Sequence, residues 1–333
     1  MKNNRRDFIK KMGMGAAGIG IASAMPGWLH AEETKKEMFF KLAISQFSLA
    51  SDFWTKKLDP LDFPSKVKKE FDITGLDYCS MFFADKAKDT TFLNELKKRS
   101  ADAGTYNLRI MIDGEGVLGD LTEATRLKAV ENHYKWIDAA ATLGCPMIRV
   151  NVEGDGNADD VAKAAVDSLG RLIEYGKKGH IDVIVENHVG ISCNAGWLAG
   201  VMKQVNSKHC GTLADFGNFC INRTKPEAQT IDAYMKTKCL EEYDRYKGIG
   251  ELMPYAKGIH AKTHLFDANG NDTETDFTKM FKIIKDSGFK SWCSIEYEGG
   301  LMKMYKAPGD YLGNDDGVKA TKALVLKAAA AIA

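Results

Sequence analysis

From residue 39 onward, short apolar runs alternate with longer stretches of mixed polarity. The short runs are "FFKLAISQFSLA" (39–50), "GLDYCSMFF" (75–83), "LRIMIDGEG" (108–116) and "CPMIRVNVEG" (145–154). They continue as "IDVIVENH" (181–188), "CGTLADFGN" (210–218), "KGIHAKTHLFD" (257–267) and "SWCSIEYEGG" (291–300). Each reads as a buried strand. The intervening stretches predict helices over 62–71, 90–104, 121–143, 158–178, 194–206, 228–255 and 274–287, with 315–332 closing the chain. Asn157 before "ADDVAKAAVDSLGRLI" and Asp276 before "FTKMFKIIK" are helix-start signals, because their side chains can accept from orphan backbone N–H groups. Eight strand–helix repeats predict an α/β protein of one domain, a (β/α)8 barrel over 39–333. The alternative, a doubly wound open sheet, advertises a Gly-rich phosphate loop after its first strand, and "AISQFSLASDF" has none. The charged, Tyr-rich segment 221–256 predicts an insertion after the sixth strand, and 301–317 a long loop after the eighth. Both would lie over the C-terminal mouth of the barrel, where active sites are built.

The first thirty residues break this pattern. Lys2, Arg5, Arg6, Lys10 and Lys11 precede a Gly- and Ala-rich apolar stretch from Met12 to Met25. That stretch is too short for an ordinary membrane-spanning helix, and its basic-then-apolar layout predicts a signal peptide over 1–31, with small residues at Ala22–Ala24 and Ala31 as cleavage points. An uncleaved anchor is the alternative. "NRRDFIK" (Asn4 to Lys10) resembles the twin-arginine export signal. The resemblance implies the twin-arginine export machinery as a partner, a periplasmic location in a bacterium, and export in the folded state with any cofactor loaded.

The leader also carries most of the basic excess. The whole chain of 333 residues has a net charge of +1, so without its leader the chain is about three charges negative. No polyanion-binding surface is expected, and no nucleic-acid partner. The seven Cys are odd in number and lack CxxC spacing, and most lie in apolar runs; they read as buried free thiols.

Polar residues concentrate at the C-terminal ends of the predicted strands. The fourth ends with Arg149, Asn151 and Glu153, the fifth with Glu186 and His188, and the sixth with Asp215 and Asn218. The seventh offers His260, Lys262 and His264, and the eighth Glu296 and Glu298. Side chains two apart on a strand share a face, so these sets point toward a common axis while Val185, Ile295 and Tyr297 face the helices. Such a convergence of charge is unfavourable without a cation or a substrate. Glu186, Asp215 and Glu296 supply hard oxygens and His260 one nitrogen, a donor set for one divalent ion: Mn2+ foremost, with Co2+, Mg2+ or Zn2+ as alternatives. His188 is either an acid/base or an orienting group. Lys262 either neutralises carboxylates or binds a substrate oxygen. Arg149 and Asn151 line the pocket, with Glu153 or Asp113 as partners for Arg149, and His264 caps a strand end. "MIDGEGVLGD" lacks the spacing of a calcium loop, and His133 and Trp136 read as packing.

In this order at strand ends, "VENH", "LADFGN", "GIHAK" and "SIEYEG" resemble the xylose-isomerase-like barrel superfamily, the sugar phosphate isomerase/epimerase group that includes ketose 3-epimerases. The resemblance covers the chain after the leader. It implies a (β/α)8 barrel holding one divalent ion with Glu186, Asp215, His260 and Glu296. Two departures stand out. Ketose 3-epimerases place a substrate-binding His three residues after the metal Asp, where this chain has Asn218, and their second strand commonly contributes a Glu, where this chain has Asp77. No phosphate cradle is evident, which favours unphosphorylated carbohydrate.

The expected reaction is proton abstraction next to a sugar carbonyl through an enediolate, giving isomerisation or epimerisation. Glu186, Glu296 and His188 are the expected catalytic groups, with His188, Asn218, Lys262, Arg149, Asn151 and Glu298 binding substrate. The alternative on the same scaffold is an exported 3-keto-glycoside lyase acting by β-elimination. A non-catalytic sugar-binding barrel and a DNA-repair endonuclease are further alternatives, the second opposed by the charge balance. Barrels of this type often pair, so a homo-oligomer is also expected.

Overall fold

The computed structural model describes residues 38–332, apart from positions 229, 231, 232, 234 and 235. The predicted leader over 1–31 and its twin-arginine motif lie outside the described residues. The barrel strands are β1 (Lys41–Ser45), β2 (Gly75–Cys79), β3 (Tyr106–Met111), β4 (Met147–Val150), β5 (Asp182–Glu186) and β6 (Cys210–Asp215). A hairpin, β7 (Cys220–Arg223) and β8 (Cys239–Glu242), interrupts the series before β9 (Ala256–Thr263) and β10 (Trp292–Tyr297) complete it. Eight of these strands close in the order β1-β10-β9-β6-β5-β4-β3-β2, every pair parallel. The predicted (β/α)8 barrel is therefore the observed fold, with each strand shorter than its run because the residues beyond it form helical turns, as at Gln46–Leu49 and Ser80–Lys86, or mouth loops.

Alternation along the strands divides the core in two. Val183 and Val185 of β5, Ile259 and Ala261 of β9, and Cys293, Ile295 and Tyr297 of β10 pack outward in the large cluster shared with the helices. Ile184 and Leu213 instead join Cys79 and Met111 in a small apolar cluster apart from it. These inward positions, two residues before Glu186 and Asp215, form an apolar layer beneath the polar one. Arg109 fills the neighbouring interior space, wholly buried, with Nε 2.9 Å from Asp77 Oδ1. Gly258 makes room for it, since a Cβ there would stand 2.4 Å from Arg109 Nη1.

The helices follow their start and stop signals. The Asn157 side chain accepts from the Asp159 N–H ahead of the helix Ala158–Lys177, and Asp276 accepts from the Lys279 N–H ahead of Phe277–Asp286. Gly144, at φ +83°, ends the helix Glu123–Leu143 in the left-handed conformation.

Three expectations are corrected. The helix predicted over 228–255 is not continuous: Cys239–Glu242 pairs with Cys220–Arg223 as the β7–β8 hairpin, and a helix follows over Arg245–Leu252. The loop over 301–317 contains the rest of a short helix, Gly299–Met304. Two of the seven cysteines are not free thiols: Cys220 and Cys239, nineteen residues apart, are joined across the hairpin by a disulfide. The other five are free, four of them buried. Among the described residues no helix is long and apolar enough to cross a membrane.

The tight fit of Arg109 against Gly258 makes the barrel floor sensitive to one methyl group. Gly258→Ala is expected to destabilise the protein by about 1–3 kcal/mol, seen as a lower midpoint in thermal denaturation. An unchanged midpoint would show that the floor relaxes freely.

Candidate metal centre

Glu186 closes β5, Asp215 closes β6, His260 lies in β9 and Glu296 in β10. Register brings them level: Asp215 pairs with His260, and Glu296 with Lys262 two residues on. One ligand atom from each of the four residues lies within 4.8 Å of the others, and all four residues are buried. This is the donor set that the strand pattern predicts.

His260 organises the cluster. Its Nδ1 stands 3.2 Å from Glu186 Oε1, 3.2 Å from Glu296 Oε2 and 3.8 Å from Asp215 Oδ2. Its Nε2 faces the other way, 3.2 Å from Asp77 Oδ2, which also accepts from Ser294 Oγ at 2.6 Å. Asp77 can accept a hydrogen bond from Nε2–H, and in the neutral ring this leaves the Nδ1 lone pair aimed at the space between the carboxylates, an arrangement that orients metal-binding histidines.

Each carboxylate is fixed by its own partners. Asp215 Oδ1 accepts from the Gly217 and Asn218 N–H groups at 2.7 and 2.9 Å, which leaves Oδ2 pointing into the cluster. Asn187 straps β5 to β6: its Nδ2 donates to the Asp215 and Asn218 carbonyls, and its Oδ1 accepts from the Asp215 N–H. Ser45 Oγ donates to Glu296 Oε1 at 2.7 Å. Arg149 Nε lies 2.8 Å from Glu186 Oε2, while its Nη1 donates to Asp113 and Asn151.

The residues fit a divalent cation. Both Glu186 oxygens and Asp215 Oδ2 are buried without a hydrogen bond. Asp77, Asp113, Glu186, Asp215, Glu296 and Glu298 gather around only three permanent cations, Arg109, Arg149 and Lys262, along with the imidazoles of His260 and His264. The protonation balance shows the crowding. Burial pushes the Asp215 carboxyl up to about 8, helped by Glu186 and Glu296 and opposed by Lys262. Burial works against the charge on Glu296 too, but His260 and Lys262 hold it well below the usual carboxylate range. Glu186 is lowered against its burial by Arg149 and His260. Oxygen donors with one imidazole and no thiolate suit Mn2+, Co2+ or Mg2+.

The predicted substrate-binding residues divide into two groups. Lys262 lies beside the quartet, with Nζ 3.1 Å from Glu296 Oε2, 2.7 Å from Glu298 Oε1 and 3.1 Å from Asn218 Oδ1. His264 does not join the cluster; its Nε2 lies 3.4 Å from Glu298 Oε2, and Glu298 is drawn down to about 2 against its burial by Lys262 and His264. Arg149 and Asn151 both bond Asp113, so of the two expected partners Asp113 is the one engaged and Glu153 is not. His188 stands at the rim, half-buried, with Nδ1 buried and unpartnered. Sequence reasoning assigned no role to Ser45, Asp77, Arg109, Asn187 or Ser294. Ser45 and Ser294 carry no charge signal, and Asp77 sits at a register shift between Leu76 and Asp77 that breaks the alternation.

The model of the xylose isomerase-like TIM barrel family matches residues 72–318, and the chain belongs to that family. Among solved structures, 3-keto-D-glucoside 4-epimerase from E. coli superimposes with a TM-score of 0.59 at 14% identity, over 86% of this chain and 99% of that one. D-allulose 3-epimerase from Methylomonas sp. gives 0.62 at 12% identity, over 88% and 99%. A sugar phosphate isomerase/epimerase from Parabacteroides distasonis gives 0.57 at 17% identity, over 87% and 94%. At these identities the likeness is one of fold. Comparison with curated proteins gives no match.

Two measurements follow from the centre. Elemental analysis of protein purified without chelator should find about one divalent ion per chain; a metal-free protein that takes up none of Mn2+, Co2+ or Mg2+ would refute the donor set. Asp77→Ala should weaken metal affinity about 10–100-fold in equilibrium dialysis, and an unchanged affinity would show that His260 needs no orienting partner.

Proposed function

We propose that the protein is a divalent-metal-dependent carbohydrate isomerase or epimerase that removes a proton next to a sugar carbonyl. The observation that carries this reading is the buried quartet Glu186, Asp215, His260 and Glu296, with three carboxylate oxygens that make no hydrogen bond. The family supports it, as does the recurrence of epimerases among proteins of like fold. A bound divalent ion would supply Lewis acidity that stabilises negative charge developing on the substrate oxygens.

The remaining chemistry belongs to the chain. Glu186 and Glu296 come from strands separated by β6 and β9, and both reach His260 Nδ1 at 3.2 Å. They flank the cluster and can exchange a proton with a substrate carbon from two sides. Return of the proton to the same carbon from the opposite side gives an epimer; return to the neighbouring carbon gives an isomer. Arg149 and Ser45 keep the two carboxylates ionised and in place. Lys262, held by Glu298 and Asn218, can donate to a substrate hydroxyl. His188, with a free ring nitrogen at the rim, can carry a proton to or from a substrate oxygen.

Export is part of the same proposal. The twin-arginine motif supports it, and so does the Cys220–Cys239 disulfide, a bond that persists in oxidising compartments.

The reaction is tested by incubating metal-loaded protein with ketohexoses and 3-oxo-glucosides in D2O and following proton NMR. Deuterium should enter the carbon beside the carbonyl, and Glu296→Gln should slow that exchange by about 10²–10⁴-fold. An unchanged molecular skeleton marks isomerisation or epimerisation, whereas release of an aglycone marks β-elimination. No exchange with any substrate of either class would sink the proposal.

A further inference from the structure

A cavity of about 290 Å³ opens at the barrel mouth, bounded by Glu153, His188, Asn218, Ile221 and Arg223. His188 and Asn218 connect it to the metal centre, since Asn218 Oδ1 bonds Lys262, whose ammonium touches Glu296. Three side chains facing the cavity have hydrogen-bonding capacity that the protein does not use. His188 Nδ1 and Asn218 Nδ2 are buried without partners. The Glu153 carboxylate makes no hydrogen bond or ion pair among the described residues, although burial raises its pKa above the usual carboxylate range. Unpaired polar groups around a concave space mark a place where a polar ligand supplies the missing partners.

The lining selects the ligand. A carboxylate accepts from hydroxyls, an amide nitrogen donates to them, and an imidazole does either. Val189 and Ile221 add small apolar surfaces between these groups. That mixture suits a sugar ring, with hydroxyls at its edge and C–H groups on its face. A phosphate fits less well: Glu153 faces the space with Asp113 and Asp155 in its field, and Arg223 is itself engaged in an interaction. One wall is the β7–β8 hairpin, where Cys220 lines the cavity and is bonded to Cys239. The hairpin ladder runs on one rung to its base, where the Tyr243 N–H donates to the carbonyl of Phe219, and the Phe219 side chain is anchored in the core. Ile221 is therefore carried on a braced element.

We infer that this cavity is a second carbohydrate subsite, with Glu153 as its hydroxyl-binding residue, and that the substrate is a glycoside whose outer unit rests against the disulfide-linked hairpin. The inference rests on the proposed reaction only in taking the metal centre as the place where the first sugar unit binds. A ligand filling both spaces carries a substituent beyond its reacting ring, which separates it from a free ketose.

The test is calorimetric binding to the metal-loaded protein of methyl β-glucoside and of trehalose, maltose and cellobiose, none of which requires turnover. At least one disaccharide should bind about tenfold or more tightly than the methyl glucoside. Ile221→Trp, which fills the cavity, and Glu153→Gln, which removes the carboxylate with little change in shape, should each bring that ratio near one. Equal affinities in the wild type, no measurable binding of any of the four sugars, or a ratio that survives in either variant would overturn the inference. Deuterium exchange reads the reaction separately: if it is absent while the disaccharide advantage and its loss in both variants are present, the reaction fails and the subsite stands.

Discussion

The site depends on how one imidazole is held. His260 is wholly buried, with Asp77 at its Nε2 edge and Glu186, Glu296 and Asp215 around its Nδ1 edge. Turning the ring over would put C–H groups where Nε2 and Nδ1 now meet these carboxylates. Asp77 is itself fixed by Arg109 and Ser294, and Arg109 has its place because Gly258 carries no side chain. The orientation of one ligand nitrogen is thereby traced to the packing of the barrel floor. This is the way outer groups set the geometry of a metal centre, and it places the determinants of binding well below the ligands themselves.

Around this axis, the carboxylates solve a problem of burial. A carboxylate removed from water is strongly disfavoured unless charge or hydrogen bonds replace its hydration. Arg149, Lys262 and Ser45 answer part of that demand at Glu186 and Glu296. Asp215 is left short, and its high pKa records the deficit. A divalent ion would answer the rest, so the oxygens without hydrogen bonds and the crowding of negative charge are two expressions of one incomplete balance. The mouth shows a milder version: Glu153, His188 and Asn218 retain unused capacity around a cavity, which a neutral polar molecule would fill.

Much of this was legible in the chain because a strand repeats every two residues. Ile184 and Glu186 point inward and Val183 and Val185 outward, as alternation alone requires, and the same rule separates Ser294 and Glu296 from Ile295 and Tyr297. The quartet could be read for that reason, with the family motifs at the strand ends. Asp77 could not, because the register shift before it removes the alternation on which a facing argument rests. The hairpin was hidden for another reason: pairing of Cys220 with Cys239 is set by how a long insertion folds back, which no local periodicity encodes. Asn187 carries no charge signal in the sequence, and its strap across β5 and β6 shows only when both strands are placed side by side.

The function proposed for the barrel requires one ion among these four side chains. Anomalous X-ray scattering from crystals of the protein grown with Mn2+ measures this directly. A single strong peak enclosed by Glu186, Asp215, His260 Nδ1 and Glu296 is expected. A peak elsewhere, or a barrel whose four side chains surround no scatterer at saturating Mn2+, would contradict it.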